Sequence, residues 1–115
     1  MTIYALSSGA GISGVAVIRV SGPETKKIIE KITIGPLPKA REATLKKISK
    51  INTNELIDEG ILLWFPAPQS YTGEDMAEFH VHGSIAVINA IQASISKIEN
   101  CRLAEPGEFT KIAFQ

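Results

Sequence analysis

The stretch "SSGAGISGVAVIRVSG", residues 7–22, decides the class of fold. Gly9, Gly11 and Gly14 match the G-x-G-x-x-G spacing of dinucleotide-binding loops. In such loops the third glycine opens a helix whose N-terminus holds the phosphates. Here Gly14 is followed by "VAVIRV", a β-branched run typical of a strand, and the acidic residue expected at the end of the next strand is absent. The glycines therefore predict a tight connection between two strands rather than a nucleotide site.

The amino-acid composition is typical of one globular domain with a formal net charge of zero. The chain has 115 residues, 44% of them hydrophobic, and twelve Lys and Arg balance twelve Asp and Glu. This excludes a disordered chain and gives no indication of a polyanionic partner. The sequence has no secretory signal, no run long enough to span a bilayer and no G-x-x-x-x-G-K-[ST] phosphate loop. We expect a cytoplasmic protein with no membrane contact.

The order of apolar runs predicts an α/β fold of the α+β type. We expect a mixed sheet of about five to six strands with two to three packed helices. "VAVIRV" is expected to be a central strand buried on both faces. Ser21 and Glu24 have capping-box spacing, with Pro23 in the first turn of the following helix. The other predicted elements are strands at 2–7, 43–51, 57–65, 76–82 and 101–104, and a helix at 84–98 with Ile88, Ile91, Ile95 and Ile98 on one stripe.

One segment is rich in basic residues, namely Lys39, Arg41, Lys46, Lys47 and Lys50. A phosphate-binding patch would interleave aromatic residues, and none are present. The pattern favours a solvated strand whose lysines discourage edge pairing. Lys46 and Lys47 are expected to lie across from Asp58 and Glu59 in the neighbouring strand.

Arg19 and Glu78 are the candidate site residues, because each is charged and lies within an otherwise apolar predicted strand. An unpaired guanidinium in a core is costly, so Arg19 needs an anionic partner. That partner is either a structural carboxylate, from Glu74, Asp75 or Glu78, or the carboxylate of a ligand. Glu78 is either an exposed strand residue or a carboxylate that accepts two parallel hydrogen bonds from an amino-pyrimidinone edge.

His80 and His82 lie on one face of the predicted strand at 76–82. Two histidines can contribute to a transition-metal site, but a third ligand is needed, so we predict no metal. Cys101 is the single cysteine and excludes an internal disulfide. With no base near it in sequence, it is expected to be a small apolar filler.

The chain ends in "EPGEFTKIAFQ", residues 105–115, which has helical spacing but stops before three turns. We expect residues 1–104 to form the domain and 105–115 to begin a helix of a longer parent protein.

Three segments together carry a resemblance to a known family: "GVAVIRVSGP" (14–23), "LWFPAPQSYTGEDMAEFHVHGS" (63–84) and "RLAEPGEFTKIAF" (102–114). In this order they closely resemble the N-terminal domain of the MnmE, or TrmE, family of tRNA-modification GTPases. The resemblance covers nearly the whole chain.

The resemblance implies a function that the residue patterns alone do not show. In this family the N-terminal domain mediates homodimerisation, is similar to the folate-binding domains of one-carbon enzymes and binds 5-formyltetrahydrofolate or a related tetrahydrofolate derivative. The parent protein hydrolyses GTP, with potassium and magnesium, in a separate GTPase domain. With the flavoprotein MnmG (GidA) it modifies carbon 5 of the tRNA wobble uridine. No catalytic residue is expected in the present chain.

Carried over by position, Arg19 and Glu78 match the two folate-contacting residues of the family, while a third contact, a lysine, falls beyond Gln115. The chain departs from the family pattern at Ile12, where many members have a basic residue, at Ser84, where glycine is usual, and at Gln115, where leucine is usual. The first departure removes a possible anion contact from the glycine turn.

Two other functions remain open at this point. One is a stand-alone folate-dependent one-carbon transfer enzyme on the same fold. The other is a purely structural dimerisation module whose folate pocket has been lost.

Overall fold

The computed structural model describes residues 1–7 and 14–114. Their secondary-structure elements, in chain order, are β1 (Thr2–Leu6), β2 (Val15–Ser21), α1 (Thr25–Ile32), β3 (Thr44–Ser49), β4 (Leu56–Phe65), β5 (Met76–His82), α2 (Ile85–Ser96), β6 (Cys101–Leu103) and α3 (Glu108–Ala113). No helix within these ranges is long and apolar enough to cross a membrane.

The strands of the described residues form one mixed sheet in the order β3-β4-β5-β2-β1-β6. Neighbouring strands run antiparallel except β1 and β6, which are parallel. The predicted α/β fold with a mixed sheet is therefore confirmed. β2 begins at Val15, directly after Gly14, so a strand and not a helix follows the third glycine. The predicted tight connection through Gly9 and Gly11 lies outside the described residues.

Both longer helices pack on one face of the sheet. The predicted isoleucines are all buried: Ile88, Ile91 and Ile95 lie on α2, and Ile98 lies just beyond its end, because the helix stops at Ser96 and not at residue 98. They join one core with the isoleucines of α1 and with Ile18, Val20 and Phe79 of the central strands. Because alternate strand residues point to opposite faces, this core uses every second residue of β2 and β5.

The opposite face of the sheet, here called the open face, differs from the prediction. β2 was expected to be buried on both faces, but Val15 is exposed and Val17 and Arg19 are only half-buried. The reason is that α1 and α2 both cover the other face, so among the described residues the alternate side chains of β2 have no helix of comparable length above them. This open face contains both candidate site residues.

The predicted capping box at the start of α1 is wrong. Ser21 still belongs to β2, where it pairs with Ile3 and Met76, and its hydroxyl bonds to Thr72 Oγ1 at 2.7 Å. The turn that follows needs glycine, because Gly22 has φ +137° and a Cβ there would lie 2.7 Å from Thr2 Cα. α1 consequently begins only at Thr25, without a side-chain cap.

The lysine-rich strand also differs in part from the prediction. Lys47 lies opposite Glu59 as expected, but Lys46 lies opposite Gly60, and Asp58 lies opposite Ile48. The side chain of Lys46 is buried, with Nζ donating to the carbonyl oxygens of Ile34 and Pro36. Neighbouring residues of one strand cannot face the same side, so only one of two adjacent lysines could be solvated here.

Candidate functional site

The open face brings the two candidate site residues into direct contact. Arg19 of β2 and Glu78 of β5 are cross-strand partners in the ladder. The guanidinium donates from Nε and Nη2 to a single carboxylate oxygen, Oε2, at 3.3 and 3.1 Å. Side-chain exposures of 29% for Arg19 and 18% for Glu78 place the pair between a solvated and a fully buried salt bridge.

The second oxygen of Glu78 is bonded to a histidine on the same strand face. His80 Nε2 lies 3.0 Å from Glu78 Oε1. Arg19, Glu78 and His80 therefore form one hydrogen-bonded row across β2 and β5. Because Arg19 donates twice to Oε2 and His80 contacts Oε1 once, and each carboxylate oxygen has two lone pairs, Glu78 keeps one acceptor position, on Oε1.

Two aromatic side chains contact the guanidinium group of Arg19. Arg19 Cζ lies 5.6 Å from the ring centroid of Tyr71 and 6.0 Å from that of Phe109, within cation–π range. Phe114 meets Tyr71 edge-on at 6.2 Å, and the Tyr71 hydroxyl lies 3.5 Å from Thr110 Oγ1. The loop between β4 and β5 and the short helix α3 therefore both contact the neighbourhood of Arg19.

Two cavities adjoin the residues that are bonded to Glu78, although Glu78 lines neither of them. A cavity of about 590 Å³ is lined by Arg19, Phe109 and the ends of β1 and β6. A groove of about 510 Å³ on the other side is lined by His80 and His82 and by apolar side chains of β2, β3 and β4. Glu78 is hydrogen-bonded to one lining residue of each, Arg19 and His80. Both volumes are in the range of small-molecule sites.

A second carboxylate–histidine pair lies at the far end of the groove. Asp58 accepts from the His82 backbone N–H at 2.9 Å, and its Oδ1 lies 2.8 Å from His82 Nδ1. Burial acts to raise the pKa of Asp58, but these hydrogen bonds outweigh it and hold the pKa below its ordinary value. Asp58 is only 11% exposed while His82 is 75% exposed, so the carboxylate is fixed and the imidazole reaches solvent.

The structure distinguishes between the possible partners of Arg19. Glu78 is bonded to it, whereas Glu74 accepts from Ser21 and Asp75 accepts from the backbone N–H of Ala67. Sequence reasoning missed Tyr71, Phe109 and Asp58. Only the two-residue period of β5 indicated part of this site, since it predicted that His80 and His82 share a face.

The described residues hold no group of three or more His, Cys, Asp or Glu side chains arranged for a metal ion. His80 and His82 are each bonded to a different carboxylate. Cys101 is half-buried against the core, and burial raises the pKa of its thiol, which disfavours the reactive thiolate.

These features define a class of protein: a small mixed α/β domain that carries an arginine–glutamate–histidine row on an open sheet face. Residues 2–115 match the family model described as GTP-binding protein TrmE N-terminus. The chain belongs to this family.

Relatives with known names are similar to this chain over all or nearly all of its length. It is 72% identical, over all 115 residues, to a tRNA modification GTPase MnmE of Pelagibacter ubique, of which it covers 26%. It is 50% identical over 98% of its length to the mitochondrial 5-taurinomethyluridine-[tRNA] synthase subunit GTPB3 of Danio rerio, of which it covers 22%. The chain thus spans about a quarter of the length of these relatives.

Proposed function

We propose that this chain is the folate-binding and homodimerisation domain of a tRNA-modification GTPase. Its ligand is 5-formyltetrahydrofolate or a related tetrahydrofolate derivative, and the pterin ring is held by Glu78 with Arg19 as its charged neighbour. The parent protein hydrolyses GTP in another domain, with potassium and magnesium, and acts in the cytoplasm. With the flavoprotein MnmG (GidA) it modifies carbon 5 of the wobble uridine of tRNA.

The observation that carries the proposal is the position of Glu78. Its carboxylate is partly buried, is bonded to a lining residue of each of two cavities and keeps an acceptor position on Oε1. A second ligand N–H takes the place of one of the two Arg19 bonds to Oε2. A pterin edge offers adjacent N–H donors, and an ionised carboxylate accepts both in parallel. The two bonds from Arg19 fix the orientation of the carboxylate.

Names of the relatives support the wider assignment. The names of the Pelagibacter ubique and Danio rerio proteins specify a tRNA modification GTPase and a 5-taurinomethyluridine-[tRNA] synthase subunit. The sequence of this chain contains no phosphate loop, so GTP binding is assigned to the part of the parent outside residues 1–115. Glu78 and Arg19 correspondingly serve ligand binding and not GTP hydrolysis.

Titration of the wild-type chain and Glu78→Gln with 5-formyltetrahydrofolate tests the proposal. The glutamine keeps the shape but turns one acceptor into a donor that faces a ligand N–H. We expect binding to weaken by about 2–4 kcal/mol, the range for truncated charged hydrogen bonds. Arg19→Ala should weaken binding too, and wild-type affinity should be modest because the third family contact falls beyond Gln115.

Thermal melts of each variant are the folding control, because Arg19→Ala also leaves Glu78 without its cationic partner. Equal affinities of two equally folded proteins would show that Glu78 does not hold the pterin. A wild-type chain that binds no reduced folate would favour the purely structural dimerisation module. A stand-alone one-carbon transfer enzyme would instead turn over its folate without a GTPase domain.

A further inference from the structure

The short helix α3 is attached to the domain through a small contact area. None of its six residues, all of them in the described part of the chain, is buried. Its side of the contact includes the ring of Phe109, 6.0 Å from the Arg19 guanidinium, and the ring of Phe114, which follows the helix and meets Tyr71 edge-on. An element that buries so little separates from its domain at a low cost in free energy.

The segment that carries α3 is also a wall of the cavity of about 590 Å³ beside Arg19. Residues 103–110 line this cavity, together with Arg19, Gln92 and the end of β1. Phe109 belongs to this wall and contacts Arg19 at the same time. A movement of α3 therefore changes the access to Arg19 from this side.

An exposed ion pair fixes the first residue of α3 to the edge strand. Arg102 of β6 donates from Nη1 to Glu108 Oε1 at 2.8 Å and from Nη2 to Oε2. Nη1 also donates to the carbonyl oxygen of Leu103 at 3.2 Å, which orients the guanidinium on β6. The side chain of Arg102 is 43% exposed, so water and salt ions compete for this pair. The contact is therefore reversible.

Gly107 lies between the two partners of the ion pair and has the properties of a hinge. Its φ is +77°, a conformation that favours glycine. A Cβ built there would meet no described atom within 4 Å. The glycine is thus required by the backbone and not by packing, and rotation at this position is sterically unhindered.

We propose that α3 is a hinged cover of the cavity beside Arg19, held closed by the Arg102–Glu108 ion pair, and that a ligand enters and leaves this cavity when the cover opens at Gly107. The cavity is present while α3 is docked, so the closed helix leaves room for an occupant and retains it. That this occupant is a tetrahydrofolate derivative rests on the proposed function, whereas the opening of α3 does not.

Amide hydrogen exchange of the ¹⁵N-labelled chain measures the opening. The N–H groups of Lys111 and Phe114 donate to Gly107 O and Thr110 O at 2.9 and 3.1 Å. Because so short a helix is unstable once it is undocked, these amides exchange when α3 opens. We expect Arg102→Gln to raise both exchange rates about fivefold, the effect of one exposed bidentate ion pair.

Lys50→Gln is the matched control for this measurement. It removes another exposed ion pair, Lys50–Glu55 at 3.1 Å, next to β3 at the opposite edge of the sheet from β6. It should leave the exchange of Lys111 and Phe114 unchanged. Backbone spectra of both variants check that the fold is retained.

A thiol placed in the cavity measures access without any ligand. Ala5 lines the cavity and pairs with Arg19 in the sheet, so Ala5→Cys is made in a chain whose own thiol is removed by Cys101→Ser. The alkylating probe is iodoacetamide, which is neutral and therefore insensitive to the charge of Arg102. Arg102→Gln should speed alkylation about fivefold, in proportion to the opening, and should speed dissociation of 5-formyltetrahydrofolate by a similar factor.

Unchanged exchange of Lys111 and Phe114 in folded Arg102→Gln would overturn the proposal, and so would faster exchange without faster alkylation at position 5. An unchanged dissociation rate of bound folate, in a variant whose cavity is alkylated faster, would show that α3 does not retain the ligand. If exchange and alkylation respond as expected but the wild type binds no reduced folate, the cover is supported and the proposed ligand is wrong.

Discussion

Glu108, the first residue of α3, has a carboxyl group whose pKa is strongly lowered. Arg102 of β6 donates to both of its oxygens, and the backbone N–H of Glu105 donates to Oε1 at 2.9 Å. The hydrogen bonds from Arg102, followed by that from Glu105, lower the pKa of Glu108 from 4.5 to about 2. One side chain thus connects the first residue of α3 to the edge strand.

This shift predicts an acid-sensitive contribution to stability. Because the folded-state pKa lies below the unfolded-state value, stabilisation by Glu108 is complete above pH 4.5 and is lost as pH falls toward 2. We expect Glu108→Gln to lower the melting temperature at pH 7 and to melt nearly like the wild type at pH 2.5. Thermal melts across this range test it.

Glu30→Gln is the matched control, since Glu30 is exposed in the last turn of α1. It should leave the difference between pH 7 and pH 2.5 unchanged. A Glu108→Gln protein with the same pH profile as the wild type would show that the Arg102–Glu108 contact does not stabilise the fold.

Sequence reasoning identified the charged residues of the candidate site but did not predict which of them pair with one another. Arg19 and Glu78 are recognisable because a charge inside an apolar strand requires an explanation. Their contact depends on the register of β2 against β5, and those strands are far apart in the chain. The pairing of Asp58 with His82 depends on the neighbouring position of β4 in the same way. The pattern within one strand does not specify which distant strand becomes its neighbour.

Among the elements, β3 is attached to the end of α1 by a buried lysine. Lys46 Nζ donates to two backbone carbonyls, those of Ile34 and Pro36, in the segment that leaves α1. We expect Lys46→Met to fill the same volume but leave both carbonyls without this donor. The free energy of unfolding should fall by about 1–3 kcal/mol, measured by urea denaturation.

The next residue provides the control for that measurement. Lys47 is exposed on the other side of the same strand, so Lys47→Met should change stability by about 0.5 kcal/mol or less. Equal effects of the two substitutions would contradict the structural role of Lys46.

The strands and helices were easier to predict from the sequence than the contacts that their faces and ends make. Strands β2, β4 and β5 and helix α2 follow from β-branched runs and from a 3.6-residue isoleucine period, because burial on one face dictates those patterns. The start of α1 was mispredicted because Ser21 is held by pairing with two strands, a tertiary constraint. The exposure of one face of β2 was missed because an apolar strand can face either a helix or a ligand groove.

For the whole molecule, we expect self-association. Several large apolar side chains are exposed, among them Val15, Leu45, Leu103 and Phe114. A domain of this size with such surface favours a partner of its own kind, in line with the proposed homodimer. Sedimentation over a range of concentrations should show a dimer whose fraction rises with concentration. A folded chain that stays monomeric at about tens of micromolar would contradict this.

The parallel pairing of β1 with β6 joins the two ends of the described chain. Thr2 lies beside Cys101, Thr2 N donates to Asn100 O at 2.9 Å, and Ala104 N donates to Tyr4 O at 2.8 Å. During synthesis on the ribosome, the edge of β1 that pairs with β6 therefore stays unpaired until almost the entire domain has emerged. Contacts of such long sequence separation form late and slowly. A nascent chain stalled before residue 100 should accordingly expose β1 as an unpaired edge, open to chaperones and proteases until its final neighbour arrives.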